Sequence, residues 1–398
     1  MEKDMAKVLV PSYYKDFHCI GPDCEYTCCG GWRIDVDKAT YRKYMACKDP
    51  ALKRKLETHI KRTGSGYTYA RFELEQGTAN CPFLSEEKLC EIQLILGEDA
   101  LCTTCRTYPR TGFSLGDQYQ QSLMLSCPET VRQALKSGQP IDFTLVEMNQ
   151  KDLDAFPKLN FKDELNEKIY KANMSFMISI LQNRQYSFED RMVLLGMYIQ
   201  RYMNDPKNSP TAIRRFEELL ENPGVQEQLD SMARLNKAHF TVMSNIIAQM
   251  QSKLSGLFIN LLLEALSGMG WLGDATMAEQ AERYMDTLEK SQGLLKEWDI
   301  YFEHVFVIYI FEHAYLLKPE DIWDFYMKMC VTYFIFRFLL LGIHNQRGKL
   351  EEQDMVYLLS QFRRLPFAIQ LNELNFVIDY MKEASFSNLA HMTLIVHS

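Results

Sequence analysis

The sequence predicts an α+β protein that is mostly α: a small Cys-rich mixed N-terminal domain, residues 1–140, packed on a large all-α helical domain, residues 150–398. Three observations predict it. Ten of the eleven cysteines lie between Cys19 and Cys127, and only Cys330 lies beyond. Short alternating segments fill the early part of the chain, whereas from about residue 160 apolar residues recur at helical spacing. Charge also divides unevenly: residues 1–150 hold 19 Lys+Arg against 20 Asp+Glu, and the remainder holds 25 against 32.

The elements follow in order. Trp32 to Val36 and Tyr67 to Glu75 alternate as strands do, and Gly112 to Leu125 reads as a hairpin turning at Gly116-Asp117. Ala39 to Cys47 and Ala51 to Arg62 have helical composition, with Pro50 suited to a helix start. Lys61 to Gly66 reads as a loop. Later, Leu165 to Gln182 and Phe188 to Met203 carry apolar residues at i, i+3, i+4 and i+7, with Ser187 as a cap for the second. Pro210, Pro223-Gly224 and Pro319 punctuate the helices that follow. Leu257 to Leu266, Tyr301 to Leu317 and Phe325 to Leu341 are apolar nearly all round and belong inside a bundle.

Composition excludes several classes. A chain of 398 residues at 47% hydrophobic can bury a sizeable core, and 24% charged with 12% aromatic residues excludes wholesale disorder. The net charge of −8 argues against a nucleic-acid or anionic-membrane binder, which needs a basic footprint. The most apolar run, Val331 to Ile343, is short for a membrane span and contains Arg337. Met1 to Val10 shows no apolar signal core, so a soluble cytoplasmic protein without membrane insertion is expected.

In a reducing compartment, dense cysteines point to metal rather than disulfides. The first group is Cys19-IGPD-Cys24-EYT-Cys28-Cys29-GGW; the second is Cys81-PFLSEEKL-Cys90, then Cys102-TT-Cys105-RTYPR and Ser126-Cys127-Pro128. Cys28 and Cys29, as neighbours, can address two directions. Cys47 and Cys330 are isolated in apolar helical surroundings and read as packing residues, and Cys102, after Leu101, reads the same way. Cys19, Cys24, Cys28, Cys29, Cys81, Cys90, Cys105 and Cys127 are left as ligand candidates. Thiolates suit zinc or a [4Fe–4S] cluster. Eight candidates exceed one tetrahedral zinc site and their spacings are ragged, so a cluster fits better, and one cluster plus one zinc is a further arrangement. The C-x3-C-x2-C pattern of radical S-adenosylmethionine enzymes begins at Cys24 and Cys28, but Gly31 stands where its third cysteine belongs.

The runs YKDFHCIGPDCEYTCCGGWRIDVDKATYRKY (Tyr14 to Tyr44), CPFLSEEKLCEIQLILGEDALCTTCRTYPR (Cys81 to Arg110) and SCPE (Ser126 to Glu129) resemble, in order, blocks of the flagellin lysine N-methylase family. The Cys-rich part is also similar to small metal-binding proteins with a CxxCxxCC cluster and a later CR-x-[YF]-P element. The resemblance is specific over roughly residues 12–135 and general in the helical part. It implies methyl transfer from S-adenosylmethionine to lysine side chains of flagellin, in a protein carrying an iron–sulfur cluster.

Other motifs are weaker. Gly268-Met-Gly270-Trp-Leu-Gly273 matches G-x-G-x-x-G, but a helical segment precedes it where a dinucleotide site needs a strand. Glu303, in the apolar segment YFEHVFVIYIF, is the carboxylate expected near a substrate amine, with a helix-surface carboxylate as the plainer reading. Arg106 and Arg110, flanking Tyr108-Pro109, can grip the carboxylate of a methionine-type cofactor or balance a thiolate cluster. Trp32 can cover the metal site or contact a sulfonium. The reading is therefore a protein-lysine N-methyltransferase acting on flagellin. The alternative is a non-enzymatic metal-binding module with a helical partner-docking domain.

Overall fold

A computed structural model of the chain describes residues 5–64, 68–116, 118–149, 153, 156–159, 164–232, 236–251, 257–364 and 374–397. Asp117 of the expected turn and residues 65–67 of the expected loop and strand lie outside them. The fold is α+β and mostly α. The chain forms two compact units: the described residues of Met1–Phe113, Gln118–Ala134 and Phe143–Pro157, and those of Ser114–Asp117, Leu135–Asp142 and Lys158–Ser398.

The first unit holds two small sheets. In one, Met5–Pro11 lies between Phe143–Asn149 and Gln118–Leu123, with Arg110–Leu115 beyond. Val8 pairs antiparallel with Val146 and parallel with Tyr119, so the first strand is a central one. Sequence reading found the hairpin partners but not this strand, whose alternation (MAKVLVP) was read only for charge. Val8 and Val10 point into a small core with Tyr119 and Leu153. The second sheet joins Asp35–Val36, Ala70–Phe72 and Ile60–Arg62. The expected strands thus shrink to two and three residues, and Ile60–Arg62 replaces the end of the expected helix.

Two short helices flank that sheet, Lys38–Met45 and Pro50–His59. Each starts on an aspartate. The Asp37 carboxylate accepts from Thr40 N at 2.9 Å, and that of Asp49 from Leu52 N at 2.8 Å, satisfying donors that a helix start leaves open. Their inner faces bury Tyr44, Leu52 and Leu56 with Ile34, Val36, Phe72, Phe83 and Ile92. Cys47, Cys81 and Cys102 belong to the same core, and Cys29, Cys90, Cys105 and Trp32 pack against it.

The second unit is helical. Glu164–Leu181 and Phe188–Asn204 match the expected helices to within a residue or two, and the Ser187 hydroxyl accepts from Asp190 N at 3.2 Å as its cap. Pro319 does not open a helix; the helix begins three residues later, at Ile322. Gln292–Glu312 and Ile322–Arg347 are buried over most of their length, as their all-round apolar pattern requires.

The Ile322–Arg347 helix extends well past the Val331 to Ile343 run at both ends. By length and composition alone it is long and apolar enough to cross a membrane, which corrects the sequence estimate. Within the unit 94% of its apolar window is buried, the condition of a core helix. Each fully buried Leu, Ile or Phe on it contributes roughly 1.5–3 kcal/mol.

Leu257–Gly268 packs on this helix with the two backbones in near contact. A Cβ at Gly342 would overlap the backbone of Ala265, and one at Gly268 would overlap the carbonyl of Gly342. Gly268, the first glycine of the G-x-G-x-x-G match, therefore serves helix packing. Gly342→Ala should lose about 1–3 kcal/mol to overpacking, more than a helical alanine returns. Thermal unfolding of the full chain checks it, and an unchanged or raised melting temperature would refute the contact.

Candidate functional site

The thiols of the first unit fall into two gatherings. Backbone pairing builds one of them. Gly30 forms a bridge with Asn80, Gly31 N donates to Ala79 O at 2.9 Å, and Cys81 N donates to Cys29 O at 2.7 Å. A Cβ at Gly30 would crowd Asn80 Oδ1 at 2.8 Å and the Ala79 carbonyl at 3.1 Å, so the close approach suits glycine. The Gly30-Gly31 pair thus lets residue 29 lie against residue 81.

Cys102 precedes the short helix Thr103–Thr107 that carries Cys105. Tyr44 Oη accepts from Cys102 N at 3.1 Å, and Thr104 Oγ1 donates to Asp35 O at 2.9 Å, fixing that helix to the sheet. Cys90 starts the Glu91–Leu96 helix beside an isolated bridge to Leu84. Six cysteines, Cys29, Cys47, Cys81, Cys90, Cys102 and Cys105, lie in or against one small apolar core.

The second gathering is nearer the surface. Cys19 and Cys28 are exposed, and Cys24 and Cys127 are half-buried. Arg132, on the Pro128–Leu135 helix that follows Cys127, grips both oxygens of Glu25 at 2.7 and 3.0 Å and Glu129 at 2.8 Å. That clasp holds the loop of Cys24 against the helix start at Cys127.

The strongest electrostatic coupling joins the two gatherings, through the neighbours Cys28 and Cys29. A hydrogen bond to Cys29 raises the Cys28 thiol far above its usual range; the residue is exposed as a whole, but its sulfur is packed among other thiols, and Cys29, Cys127 and Cys19 add to the rise. Cys29, accepting that bond, is drawn down to about 7. Cys102 is lowered by its hydrogen bond with Cys105, which is raised in turn. Burial pushes Cys81 up to about 12 and raises Cys90, and Cys29 and Cys102 add to both. Burial also raises Cys127, which feels Cys24.

As donors these thiols suit a soft metal. Among the described residues, no three Cys, His, Asp or Glu side chains already converge on one ion position. Cys102, read from sequence as a packing residue, is fully buried in the core and also lies within hydrogen-bonding reach of Cys105. Cys47 donates weakly to Asp49 O at 3.8 Å, and Cys330 is fully buried in the helical unit.

The other candidates are placed as follows. Trp32 donates Nε1–H to Cys28 O at 2.8 Å, and its ring lies 5.6 Å from that of Tyr108. Arg106 and Arg110 are exposed, the latter 5.8 Å over the Phe17 ring.

Glu303 differs from both of its sequence readings. It is fully buried, and Arg184 binds it through Nη2 to Oε1 at 2.7 Å and Nε to Oε2 at 2.9 Å. Arg191, also buried, binds Oε2 at 2.7 Å and approaches Asp299 at 3.4 Å. Both oxygens of this carboxylate are occupied by two guanidiniums, and it holds Arg191 in the core. His304, next to Glu303, and His313, just past the helix end, reach the carbonyls of Gln139 at 2.8 Å and Tyr309 at 2.9 Å.

The fold and these placements define a class: a thiol-rich mixed unit and a large helical unit whose charged core is structural. Residues 174–395 match the FliB lysine N-methylase C-terminal domain, and the chain belongs to that family. It is 24% identical to the Lysine-N-methylase of Salmonella choleraesuis over 378 residues, 89% of this chain and 90% of that one. It is 23% identical to the Lysine-N-methylase of Salmonella typhimurium over the same shares. The Flagellar biosynthetic protein FliU of Salmonella muenchen is 35% identical over 131 residues, 32% of this chain and 76% of that protein. No solved structure matches.

Two outcomes test the charged core. Glu303→Ala should lower unfolding stability by roughly 3–5 kcal/mol, because it strands a buried arginine. Glu303→Gln should lose less; a stable Gln variant with abolished methyl transfer would restore the catalytic reading. Asp299 is the second case, its carboxyl pushed up to about 6 by burial. Its folded form binds the proton more tightly than an unfolded aspartate near ~3.9, so its stabilisation is full below that value and is lost as pH rises through about 6. Asp299→Asn should flatten that slope and gain on the order of 2 kcal/mol at neutral pH. Urea unfolding across pH 4 to 8 reads it, and an unchanged slope would contradict the assignment.

Proposed function

We propose that the chain transfers methyl groups from S-adenosylmethionine to lysine side chains of flagellin, in the cytoplasm, and that its N-terminal thiols hold an iron–sulfur cluster. The observation that carries the reading is family membership across the helical unit, together with alignment to two lysine-N-methylases over 89% of the chain. The flagellar substrate is supported by the relative named as a flagellar biosynthetic protein and by the sequence resemblance over the Cys-rich blocks.

Direct transfer needs little chemistry beyond placement. The amine lone pair attacks the sulfonium methyl carbon, the sulfur–methyl bond breaks, and the amine sheds its proton. A lysine with an ordinary pKa near ~10.4 must first be neutral, so orientation and proton removal set the rate. Iron is not required for that step. Because the three-cysteine radical pattern ends at Gly31, we assign the thiol centre a structural or cofactor-anchoring role, with zinc as the other metal these donors suit. An iron–sulfur cluster would supply electron-transfer capacity when bound.

Arg106 and Arg110 are our assignment for gripping the methionine carboxylate, and Trp32 for shielding the thiols from water. The acidic helical half is our assignment for the lysine-bearing surface. The test is purified full-length chain, handled anaerobically, with flagellin and isotopically labelled S-adenosylmethionine. Label on flagellin lysines, found by peptide mass spectrometry, is expected. Folded, metal-containing protein that leaves flagellin unlabelled would move the chain to the binding-module reading.

A further inference from the structure

We propose that the outer face of the three-stranded sheet and the adjoining helix Lys38–Met45 form a cationic docking surface for a carboxylate-rich segment of the protein substrate, apart from the lysine that receives the methyl group. The partner's identity as substrate rests on the methylase reading; the surface itself does not. Net charge conceals this surface. Residues 38–64 hold nine Lys+Arg against two Asp+Glu, while the rest of residues 1–150 holds ten against eighteen, so the near-neutral total averages two unlike regions. Lys38, Arg42, Arg62 and Arg71 are all exposed, and none of them makes an ion pair among the described residues.

Local structure holds the cations together. Tyr69 is their hub: Lys38 Nζ lies 5.7 Å from its ring centre, the Arg62 guanidinium 4.9 Å, and the Tyr41 ring meets it edge-on at 5.2 Å. Arg42 stands four residues on from Lys38 and so on the same helix face. On the sheet, Arg71 in the central strand pairs in register with Lys61, which sets two like charges directly opposite each other at a cost to folding. The acids flanking these residues are already engaged. Asp37 caps its helix, Asp35 takes Arg33 at 2.7 Å, and Glu73 takes Lys61 at 3.4 Å. Cations on an edge strand can serve only to block strand pairing, which would account for Lys61 and Arg62 on Ile60–Arg62. It does not account for Arg71 on the central strand, or for Lys38 and Arg42 on the helix. Guanidiniums grip carboxylates in a two-pronged fork, and Tyr69 keeps two of the cations oriented. A nucleic acid fits less well. The Tyr69 ring already carries two cations and Tyr41 where a base would stack, and the acidic remainder of a chain at −8 repels a long polyanion. A short acidic segment stays within the reach of the local field, about 8–10 Å at physiological salt.

The test compares the full chain with a variant, Lys38→Gln/Arg42→Gln/Arg62→Gln/Arg71→Gln, whose changes all lie at exposed positions; circular dichroism and thermal unfolding report its fold. Fluorescence anisotropy follows a labelled oligo-glutamate peptide and, beside it, an oligonucleotide of equal charge, over a range of salt concentrations. The wild-type chain should bind the peptide, more weakly as salt rises, and the variant about tenfold more weakly with a flatter salt dependence. With flagellin as methyl acceptor, the variant should raise KM by a similar factor and leave kcat unchanged. Free peptide should also compete with flagellin on the wild-type chain, a readout that decides the matter if the variant fails to fold. The proposal is overturned if the wild-type chain does not bind the peptide, if the folded variant binds it equally well, or if the oligonucleotide binds more tightly. An unchanged KM in the variant, or no competition by the peptide, overturns it too. A wild-type chain that binds the peptide but methylates nothing would discard the methylase reading, while loss of peptide binding in the variant would still establish the docking surface.

Discussion

Buried arginine is the constraint on which the helical unit depends. Arg191 and Arg337 are both fully or almost fully enclosed, and a guanidinium cannot shed its charge as a buried lysine or histidine does. Each must therefore be met by carboxylate and carbonyl oxygens. Glu303, Asp299 and Leu181 O answer Arg191, while Glu189 and Val396 O answer Arg337. These pairs tie the Phe188–Asn204 helix to Gln292–Glu312 and Ile322–Arg347, and bring in the C-terminal helix Leu389–Val396. His239 shows the complementary solution. Burial, with Arg337 nearby, draws it down to about 3, so it stays neutral, donating to Leu394 O and accepting from Tyr284.

In the Cys-rich unit the constraint is different, because sulfur does two jobs. Cys47, Cys81 and Cys102 fill core volume as a small apolar residue would, yet the last two also sit beside other thiols. A neutral thiol tolerates burial, whereas a thiolate there must be compensated, by hydrogen bonds or by metal. Burial raises Cys81, Cys90 and Cys127, which favours the neutral, protonated thiols. The short strands and helices of this unit leave little apolar area for their length, and a crosslink through sulfur is the usual way for such a unit to hold its shape.

What the sequence made legible follows from periodicity. The long helices were readable because their apolar spacing persists over many turns, and the Ser187 cap was readable because its chemistry is local. Met5–Pro11 was missed although it is central, since a seven-residue strand with lysine and methionine carries a weak alternation. Cys102, expected to pack after Leu101, is fully buried in the apolar core, and the three-residue step also sets it beside Cys105. The partners of Glu303 lie 119 and 112 residues away, and no local pattern announces a long-range ion pair. An acidic residue on an apolar helix is equally consistent with a buried arginine partner.

The fate of Glu303 also changes how the acidity of the helical half should be understood. Carboxylates that compensate buried arginines contribute almost no outward field, because their charge is cancelled within a few ångströms. Glu303, Asp299 and Glu189 are of this kind. The attraction for a lysine-bearing substrate must come from what is left at the surface: Glu217, Glu218 and Glu221 near the end of one helix, and Glu282 and Glu289 on Met277–Lys290, all exposed. Such charges act collectively and are screened by salt over a Debye length of about 8–10 Å. A field of this kind concentrates cations near the surface without fixing one amine. Selecting and deprotonating the reacting lysine is a separate task that needs a carboxylate or hydroxyl with an unoccupied oxygen, and a group already clamped by two guanidiniums does not supply one.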